Sequence, residues 1–290
     1  MIYFVLIFQQ FIASTTHLIA QDVTQHVDPR IVLIFRGVIA SIALLAIIFF
    51  TRNNDKKGRP PIAREDRWRL ILLGALNVPI NQFLYLEGVG LTSPANSALL
   101  YAMTPLFVFL LTLAVHRERA SWKKWAGILV AFFGVTLIMI EHGADLHPTY
   151  MKGNVLVFVA VIAWSAYTFL GKPLVERYGA LRVTGLNMAI GTLLYLPIGL
   201  LLSDLHSIPV IAQADWLRIV YLGIMASVVN YLLWFYALGK LETSKVAIFQ
   251  NLQPVFTVIM ALILGRAILT GQFTAGSLMA LVGVTLVQLA

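Results

Sequence analysis

The sequence predicts an all-α integral membrane protein in which ten transmembrane helices form two five-helix repeats of inverted topology around a central cavity. Three observations predict this fold class. Only 12% of the 290 residues are charged and 59% are hydrophobic, whereas a soluble globular domain carries about 25% charged residues. Ten apolar stretches follow one another, and the two halves of the chain resemble each other. The composition excludes a disordered chain, a coiled coil and an ordinary cytosolic enzyme.

Each apolar stretch has about the length that an α-helix needs to cross a bilayer, roughly 20 residues. Lipid offers no hydrogen-bond partners to a backbone, so we predict that these stretches are helices. The first lacks a charged segment before it and has a counterpart later in the chain, so we interpret it as a mature helix and not as a signal peptide. The ten predicted spans are 2–20, 31–50, 69–90, 95–115, 124–140, 153–171, 182–202, 216–238, 244–264 and 272–289.

Loops that are rich in Lys and Arg alternate along the chain with loops that contain few of these residues. Most of the 21 Lys and Arg residues follow spans 2, 4, 6 and 8, and the positive-inside rule places such loops in the cytoplasm. We therefore predict that both termini are cytoplasmic and expect the protein in the inner membrane of a bacterium. The formal charge of +8 then reports topology and does not indicate nucleic-acid binding. The loop after span 2 is the most basic, with Arg52, Lys56, Lys57, Arg59, Arg64, Arg67 and Arg69.

An internal repeat relates the two halves. Residues 73–141 align with residues 222–290 without a gap, and the identical pairs include Asn, Pro and Gly residues that composition bias alone would not place in one register. Because each half has five spans, an odd number, the second half enters the membrane from the opposite side. Inverted repeats of this kind build secondary transporters, whose substrate site lies near the midplane between the halves. A duplicated scaffold without a transport role is the alternative.

We accordingly divide the chain into an N-terminal repeat, 1–145, and an inverted C-terminal repeat, 146–290. The last spans of the two repeats carry small residues on one face, a pattern that allows close helix packing. We interpret these stripes as packing surfaces, against the body of the protein or against a second copy. The stripes are Gly127, Ala131 and Gly134 in span 5 and Gly276, Ala280 and Gly283 in span 10.

Several short segments are typical of one known family. They are Ala163-Trp164-Ser165-Ala166-Tyr167, Gln253-Pro254-Val255, Glu118 with Ser121 and Trp122, and the Gly-Val-Thr-Leu endings at 134–137 and 283–286. With these segments and the inverted repeat, the chain resembles the ten-helix EamA-type branch of the drug/metabolite transporter superfamily over essentially its whole length. It departs from the family at Ala267, where the pattern has a Glu equivalent to Glu118. The resemblance implies export or exchange of small metabolites, as in bacterial exporters of aromatic amino acids.

Matched pairs of residues fall near the predicted centre of the membrane. Asn81 and Asn230 occupy equivalent depths in spans 3 and 8, and Pro105 and Pro254 do so in spans 4 and 9. A proline removes a backbone hydrogen bond, and paired helix breaks point to a binding site in transporters. We interpret the prolines as hinges that shape the cavity and let the helices rock, and not as ligand contacts.

Polar and aromatic residues recur on one face of several spans, as Ser227, Asn230 and Trp234 do. An amide that faces lipid is costly, so such faces should turn to protein or to a wet cavity. Hydrogen bonding between helices is the alternative for any single residue. Because the stripes come from the same positions of each half, we predict a shared substrate cavity lined by Gln10, Ser14, Asn81, Tyr85, Tyr101, Trp164, Tyr167, Asn230, Trp234, Gln250 and Gln253.

Few ionisable residues lie well inside spans. We predict that Arg36 and Glu87, with His17 nearby in depth, lie toward the outer end, where Arg36 and Glu87 would pair. Two interpretations are open. These residues form either a structural ion pair or an outer gate in which His17 or Glu87 titrates. Lys172 and Lys245 lie at cytoplasmic helix ends and bring no cation to the midplane. This placement favours neutral, zwitterionic or cationic cargo over sugar phosphates.

The leading hypothesis is a secondary transporter that works by alternating access, with a small-molecule substrate and the lipid bilayer as partners and a proton as a candidate coupling ion. The alternatives are a sugar-phosphate or nucleotide-sugar exchanger and a channel-like facilitator. We expect no enzyme activity, cofactor or metal, because the six His residues lie mostly in loops and Cys is absent. We expect no nucleic-acid partner, and the sequence allows either a monomer or a homodimer.

Overall fold

The computed structural model describes residues 1–51, 60–92, 94–116, 121–141, 147–203, 208, 210–263 and 270–290, and its regular structure in these ranges is helical. Eight of the described helices are long and apolar enough to cross a membrane, and a shorter apolar helix covers Leu99–Val115. The apolar composition therefore produces membrane-spanning helices, as predicted. The boundary between the two predicted repeats, at 145 and 146, lies outside the described residues.

The helices follow the order of the predicted spans, and each carries the number of its span. They are α1 (Ile2–Thr24), α2 (Pro29–Thr51), α3 (Arg64–Val89), α4a (Pro94–Tyr101), α4b (Thr104–His116), α5 (Trp122–Glu141), α6 (Met151–Tyr178), α7 (Ala180–Leu202), α8 (Gln213–Leu238), α9a (Thr243–Ala247), α9b (Gln253–Ile263) and α10 (Gly271–Gln288). A 3₁₀ turn at Pro148–Tyr150 precedes α6, and another at Ile248–Leu252 joins α9a to α9b.

Spans 4 and 9 are both interrupted close to the prolines that the sequence analysis interprets as hinges. Span 4 makes a turn between α4a and α4b, and span 9 passes through the 3₁₀ turn between α9a and α9b. In both spans the second helix begins one residue before a proline, Pro105 or Pro254. A proline cannot donate a hydrogen bond to the carbonyl four residues earlier, but the first turn of a helix tolerates it. The two prolines thus follow breaks at equivalent positions.

The helices α3 and α8 each contain a π-helical segment that the sequence analysis did not predict. The segments cover Leu76–Gln82 in α3 and Leu222–Val229 in α8. π-Helical turns are rare and occur often at functional sites. Asn81 lies in the first segment and Asn230 directly follows the second. The matched asparagines are therefore presented from matched irregularities of the backbone.

The first helix of each half packs against helices of the other half. The helix α1 packs against α8 and α9, whereas α6 packs against α3 and α4. Two pairs of equivalent helices pack directly against each other, α2 against α7 and α5 against α10. The core therefore lies between the halves and needs both of them.

The small-residue stripes of α5 and α10 face each other within one chain. A Cβ atom added at Gly134 would lie 2.6 Å from the carbonyl oxygen of Gly276, and one added at Gly127 would lie 2.8 Å from that of Gly283. Only glycine permits backbones to approach so closely. Of the two partners considered for these stripes, the body of the protein is the one that the structure places there.

Two clusters of charged residues fasten helix ends at opposite ends of the molecule. Near the start of α3, Asp66 pairs with Arg69 at 3.0 Å and accepts hydrogen bonds from Arg177 and Tyr178 at the end of α6. The equivalent ion pair near the start of α8 joins Asp215 and Arg218 at 2.9 Å. Arg218 also pairs with Asp22 near the end of α1 at 2.7 Å. At each cluster, the third helix of one half is thus joined to the first helix of the other half.

Candidate functional site

A cavity lies where helices of both halves meet. About 550 Å³ of this space, including the open solvent at its mouth, is free of protein atoms. The wall takes residues from α1, α2, α3, α4a, α6, α8 and α9. The lining residues are Gln9, Ala13, Thr16, Arg36, Asn81, Gln82, Tyr85, Tyr101, Trp164, Ala226, Asn230, Tyr231, Gln250 and Gln253.

The lining differs from the predicted set on α1. The sequence analysis chose the face of Gln10, Ser14 and His17, whereas the cavity is lined by the neighbouring face. Helical spacing groups Gln9 with Ala13 and Thr16 as readily as it groups Gln10 with Ser14. The polar pair Gln9-Gln10 marks the depth of the site but does not tell which of the two faces it. The side chain of His17 lies outside the described part of the chain.

Gln10 and Ser14 instead join α1 to the broken ninth span behind the cavity wall. The side-chain amide of Gln253 donates to Gln10 at 2.8 Å, and Gln10 donates to Gln9 at 2.6 Å. The chain continues from Gln9 to the side-chain oxygen of Asn230 at 2.7 Å. The hydroxyl of Ser14 donates to the backbone carbonyl of Gln253 at 3.0 Å. These bonds satisfy polar groups in a buried setting and fix the orientation of the lining amides.

Asn81 makes the corresponding connection on the other side of the cavity. Its amide nitrogen donates to the hydroxyl of Tyr101 on α4a and to the backbone carbonyl of Ala160 on α6, both at 2.8 Å. The ring of Tyr85 meets the ring of Tyr101 edge-on, with centroids 5.4 Å apart. Asn81 thus holds together α3, α4a and α6, just as Asn230 joins α8 to α1.

An aromatic cluster joins α6 to α8 beside the cavity. The ring of Trp164 lies 5.4 Å from that of Tyr231 and 5.7 Å from that of Trp234. Tyr167 stacks on Phe235 at 5.0 Å. Trp164 and Tyr231 line the cavity, whereas Tyr167 and Trp234, which the sequence analysis also placed there, are fully buried behind them. Tyr231 and Gln82 are lining residues that the predicted set left out, although both lie on the predicted faces of their spans.

The connection between α8 and α9a is held from α6 and α5. Lys172 on α6 donates to the carbonyl oxygens of Leu238 and Leu241 at 3.0 and 2.7 Å. Lys124 on α5 donates to Glu242 at 2.8 Å, and this bond is the main reason why the pKa of Glu242 lies below its ordinary value. Lys172 and Lys124 thus bind the connection between α8 and α9a, and neither of them lines the cavity.

The predicted pairing of Arg36 with Glu87 is wrong. Glu87 pairs with Arg30, through contacts of 2.8 and 3.4 Å. Arg30 is the second residue of α2 and reaches Glu87 near the end of α3, whereas Arg36 lies six residues further along, which is about 9 Å of helix. Arg36 lines the cavity instead, and its Nε–H donates to the hydroxyl of Ser227 at 2.6 Å. The site therefore holds a cation that the sequence analysis placed elsewhere.

Comparison with known proteins places the chain in a family. The family model described as the EamA-like transporter family matches residues 1–140 and residues 151–289. The chain belongs to the EamA-like transporter family. This family is part of the drug/metabolite transporter superfamily. The protein is therefore an integral membrane transporter and not an enzyme.

Relatives of this transporter are named as transporters too. The uncharacterized transporter YyaM of Bacillus subtilis is 26% identical over 285 residues, which cover 98% of this chain and 92% of the relative. An uncharacterized transporter of Archaeoglobus fulgidus is 30% identical over 266 residues, 90% of this chain and 88% of the relative. A probable terminal-alkyne amino-acid exporter of Streptantibioticus cattleyicolor is 30% identical over 205 residues, 71% and 67% of the two chains.

A solved structure has the same fold as this EamA-like transporter. The crystal structure superposes with a TM-score of 0.79 and 19% identity, and the match covers 99% of this chain and 97% of the other. At this identity the likeness concerns the arrangement of the helices alone. The fold described above is thus one that has been observed experimentally.

Proposed function

We propose that the protein is a secondary transporter that moves small amphipathic metabolites, such as amino acids and related neutral or zwitterionic compounds, across the membrane by alternating access. The observation that carries this proposal is the cavity itself, which takes aromatic and amide side chains from both halves of the chain. Aromatic walls suit an apolar body, and amides suit polar ends. The relative named as a probable amino-acid exporter supports the same class of cargo and favours export or exchange.

The proposal includes ten spans in two inverted repeats, 1–145 and 146–290, with both termini in the cytoplasm of a bacterium. Three features support the repeat. The family model matches each half separately, the first helix of each half packs against the other half, and the proline breaks and π-helical segments occur at matched positions. The charged loops support the orientation.

Alternating access requires parts that can move relative to one another. Pro105 and Pro254 follow breaks in the two spans that flank the cavity, so bending there costs no intact helical hydrogen bond at the proline. The α6–α8 aromatic cluster lies beside the cavity, on the side that we assign to the cytoplasm. At the other end, Glu87 with Arg30 forms the candidate outer gate, and Glu87 or His17 is the candidate site for a coupling proton.

A transport assay tests the proposal against a channel. Purified protein in proteoliposomes is expected to take up labelled amino acids with saturation and to show counterflow when unlabelled compound is inside. A carrier alternates between two states and so must saturate, whereas a pore conducts in proportion to the gradient. Conductance without saturation would favour the channel-like facilitator and contradict the proposal.

The double variant Asn81→Leu with Asn230→Leu tests the site. It removes the amides that hold Tyr101 and Gln9 and leaves buried partners unsatisfied, so we expect uptake to fall at least about tenfold. The readout is the saturable uptake, divided by the measured amount of reconstituted protein. The matched control is Asn154→Leu, which is as buried as Asn230 and bonds Thr92 away from the cavity. Unchanged uptake in the double variant would overturn the proposed site.

A further inference from the structure

One charged side chain in the cavity has no counter-ion among the described residues. Arg36 is only 4% exposed, and it lies on the cavity wall. Its hydrogen bond through Nε–H goes to the neutral hydroxyl of Ser227 on α8. The lining residues include Asn, Gln, Tyr and Trp, and no Asp or Glu. In the described part of the chain, Arg36 therefore faces the cavity as an unneutralised cation.

Such a cation is costly unless an anion comes to it. A buried charge in a membrane protein is normally paired or marks a substrate pathway. The guanidinium has five N–H donors in a planar fork, and the bond to Ser227 uses the one on Nε. The terminal nitrogens form no hydrogen bond to the side chains that the structure describes. Two parallel N–H groups match the two oxygens of a carboxylate.

Three further polar atoms of lining residues are also without partners among the described residues, and they belong to Gln82, Trp164 and Gln250. The indole Nε1–H of Trp164 and the side-chain Oε1 of Gln250 are buried and have no hydrogen-bond partner among the described residues. Both residues are only 5% exposed and both line the cavity. Native proteins rarely leave such groups unsatisfied, and a ligand in the cavity can complement those of Trp164 and Gln250. An ammonium group can donate to Gln250, and a carboxylate can accept from Trp164.

We infer that Arg36 binds the carboxylate of the transported compound, so the substrate class is an amphipathic carboxylate such as an α-amino acid with an apolar or aromatic side chain. This inference rests on the proposed transport function and narrows it. Trp164 and Tyr231 supply the apolar wall for the side chain, and Ser227 positions the guanidinium. An amine without a carboxylate would leave Arg36 unneutralised, so the sequence-based allowance for cationic cargo is withdrawn.

Ligand analogues test the inference on the unaltered protein. Each L-amino acid with an apolar or aromatic side chain is compared with its decarboxylated amine and its deaminated acid, as in L-phenylalanine, phenethylamine and 3-phenylpropionate. The readout is the melting temperature of the purified protein over a range of ligand concentrations, which rises on binding. We expect stabilisation by at least one amino acid and by its acid, with the amine at least about tenfold weaker.

Two results would overturn the inference. An amine that binds as tightly as its amino acid would contradict the role of Arg36 and leave the transport proposal intact. Failure of every carboxylate to bind would also overturn the inference, since it names this class. In that case, uptake of neutral compounds such as nucleosides by proteoliposomes decides whether the transport proposal stands.

Variants of Arg36 provide a second, independent measurement. For Arg36→Gln we expect affinity for the amino acid to fall at least about tenfold and the preference over the amine to disappear. For Arg36→Lys, which keeps the charge but loses the fork, we expect weaker binding with the preference retained. The control is Arg69→Gln, because Arg69 is 53% exposed and far from the cavity. An undiminished preference in Arg36→Gln contradicts the inference, and the analogue series decides if that variant does not fold.

Discussion

Gly179 shows how much of the fold can depend on a single residue. It is the whole connection between α6 and α7, with φ at 83° and ψ at 153°. This conformation is open to glycine and strained for any residue with a Cβ atom. The adjoining Tyr178 and Arg177 bond to Asp66, so the end of α6 that leads into the turn is held in place.

For Gly179→Ala we expect a loss of about 1–3 kcal/mol of stability, because alanine would be held in a backbone conformation that it disfavours. The melting temperature of the purified protein in detergent measures the effect. Gly90→Ala is the control, since Gly90 also ends a helix but has a negative φ of −72° and its nearest neighbouring atom would be 3.8 Å from the new Cβ. Equal melting temperatures for the two variants would contradict the strain argument.

Single residues also mark where sequence reasoning was strong and where it failed. Asn81, Trp164 and Asn230 are lining residues that the sequence predicts, because a polar or aromatic group at mid-membrane depth has few places to go. The choice between Gln9 and Gln10 depends on a rotation of one residue, about 100° around the helix axis, and no local pattern fixes it. From the sequence alone, either Arg36 or Arg30 could pair with Glu87. Only the three-dimensional path of α2 shows that Arg30 does so.

At the scale of helices, the contact between α5 and α10 depends on glycine at four facing positions. For Gly134→Ala we expect a lower melting temperature, because the new methyl group would meet the backbone at Gly276 and cannot be accommodated by a rotamer change. Overpacking of this kind typically costs about 1–3 kcal/mol.

Gly271→Ala is the matched control for this contact. Gly271 begins α10, and a Cβ added there would have no neighbouring atom within 4 Å. The melting temperature should therefore stay close to that of the unaltered protein. If both variants lowered the melting temperature by a similar amount, the effect of Gly134→Ala would not come from the α5–α10 contact.

The helices themselves were largely predictable, whereas their irregularities were only partly so. A long apolar run fixes the position of α2 or α7 because lipid leaves no alternative to a helix. The breaks before Pro105 and Pro254 have a local cause that the sequence displays. The π-helical segment of α3 contains Pro79, which removes a helical hydrogen bond, whereas the apolar run Leu222–Val229 in α8 has the same pattern in an α-helix and in a π-helix.

At the scale of the whole molecule, orientation in the membrane is the property that charges predict. The chain has no native Cys, so single introduced cysteines report on their surroundings without background. We expect a membrane-impermeant maleimide added to intact cells to label Thr149→Cys, before α6, and not Lys240→Cys, between α8 and α9a. The reason is that the basic loops remain inside. Labelling of Lys240→Cys alone would indicate the opposite orientation in the membrane.

The first helix of each half packs against the other half, and this arrangement also determines the order in which the protein can fold. Gln9 bonds to Asn230, 221 residues later, and Gln10 bonds to Gln253, 243 residues later. During synthesis, α1 is made first and its partners α8 and α9 are made close to the end. Contacts of such long sequence separation form late and slowly. The polar face of α1 must therefore remain in the bilayer without its final partners until most of the chain has been inserted.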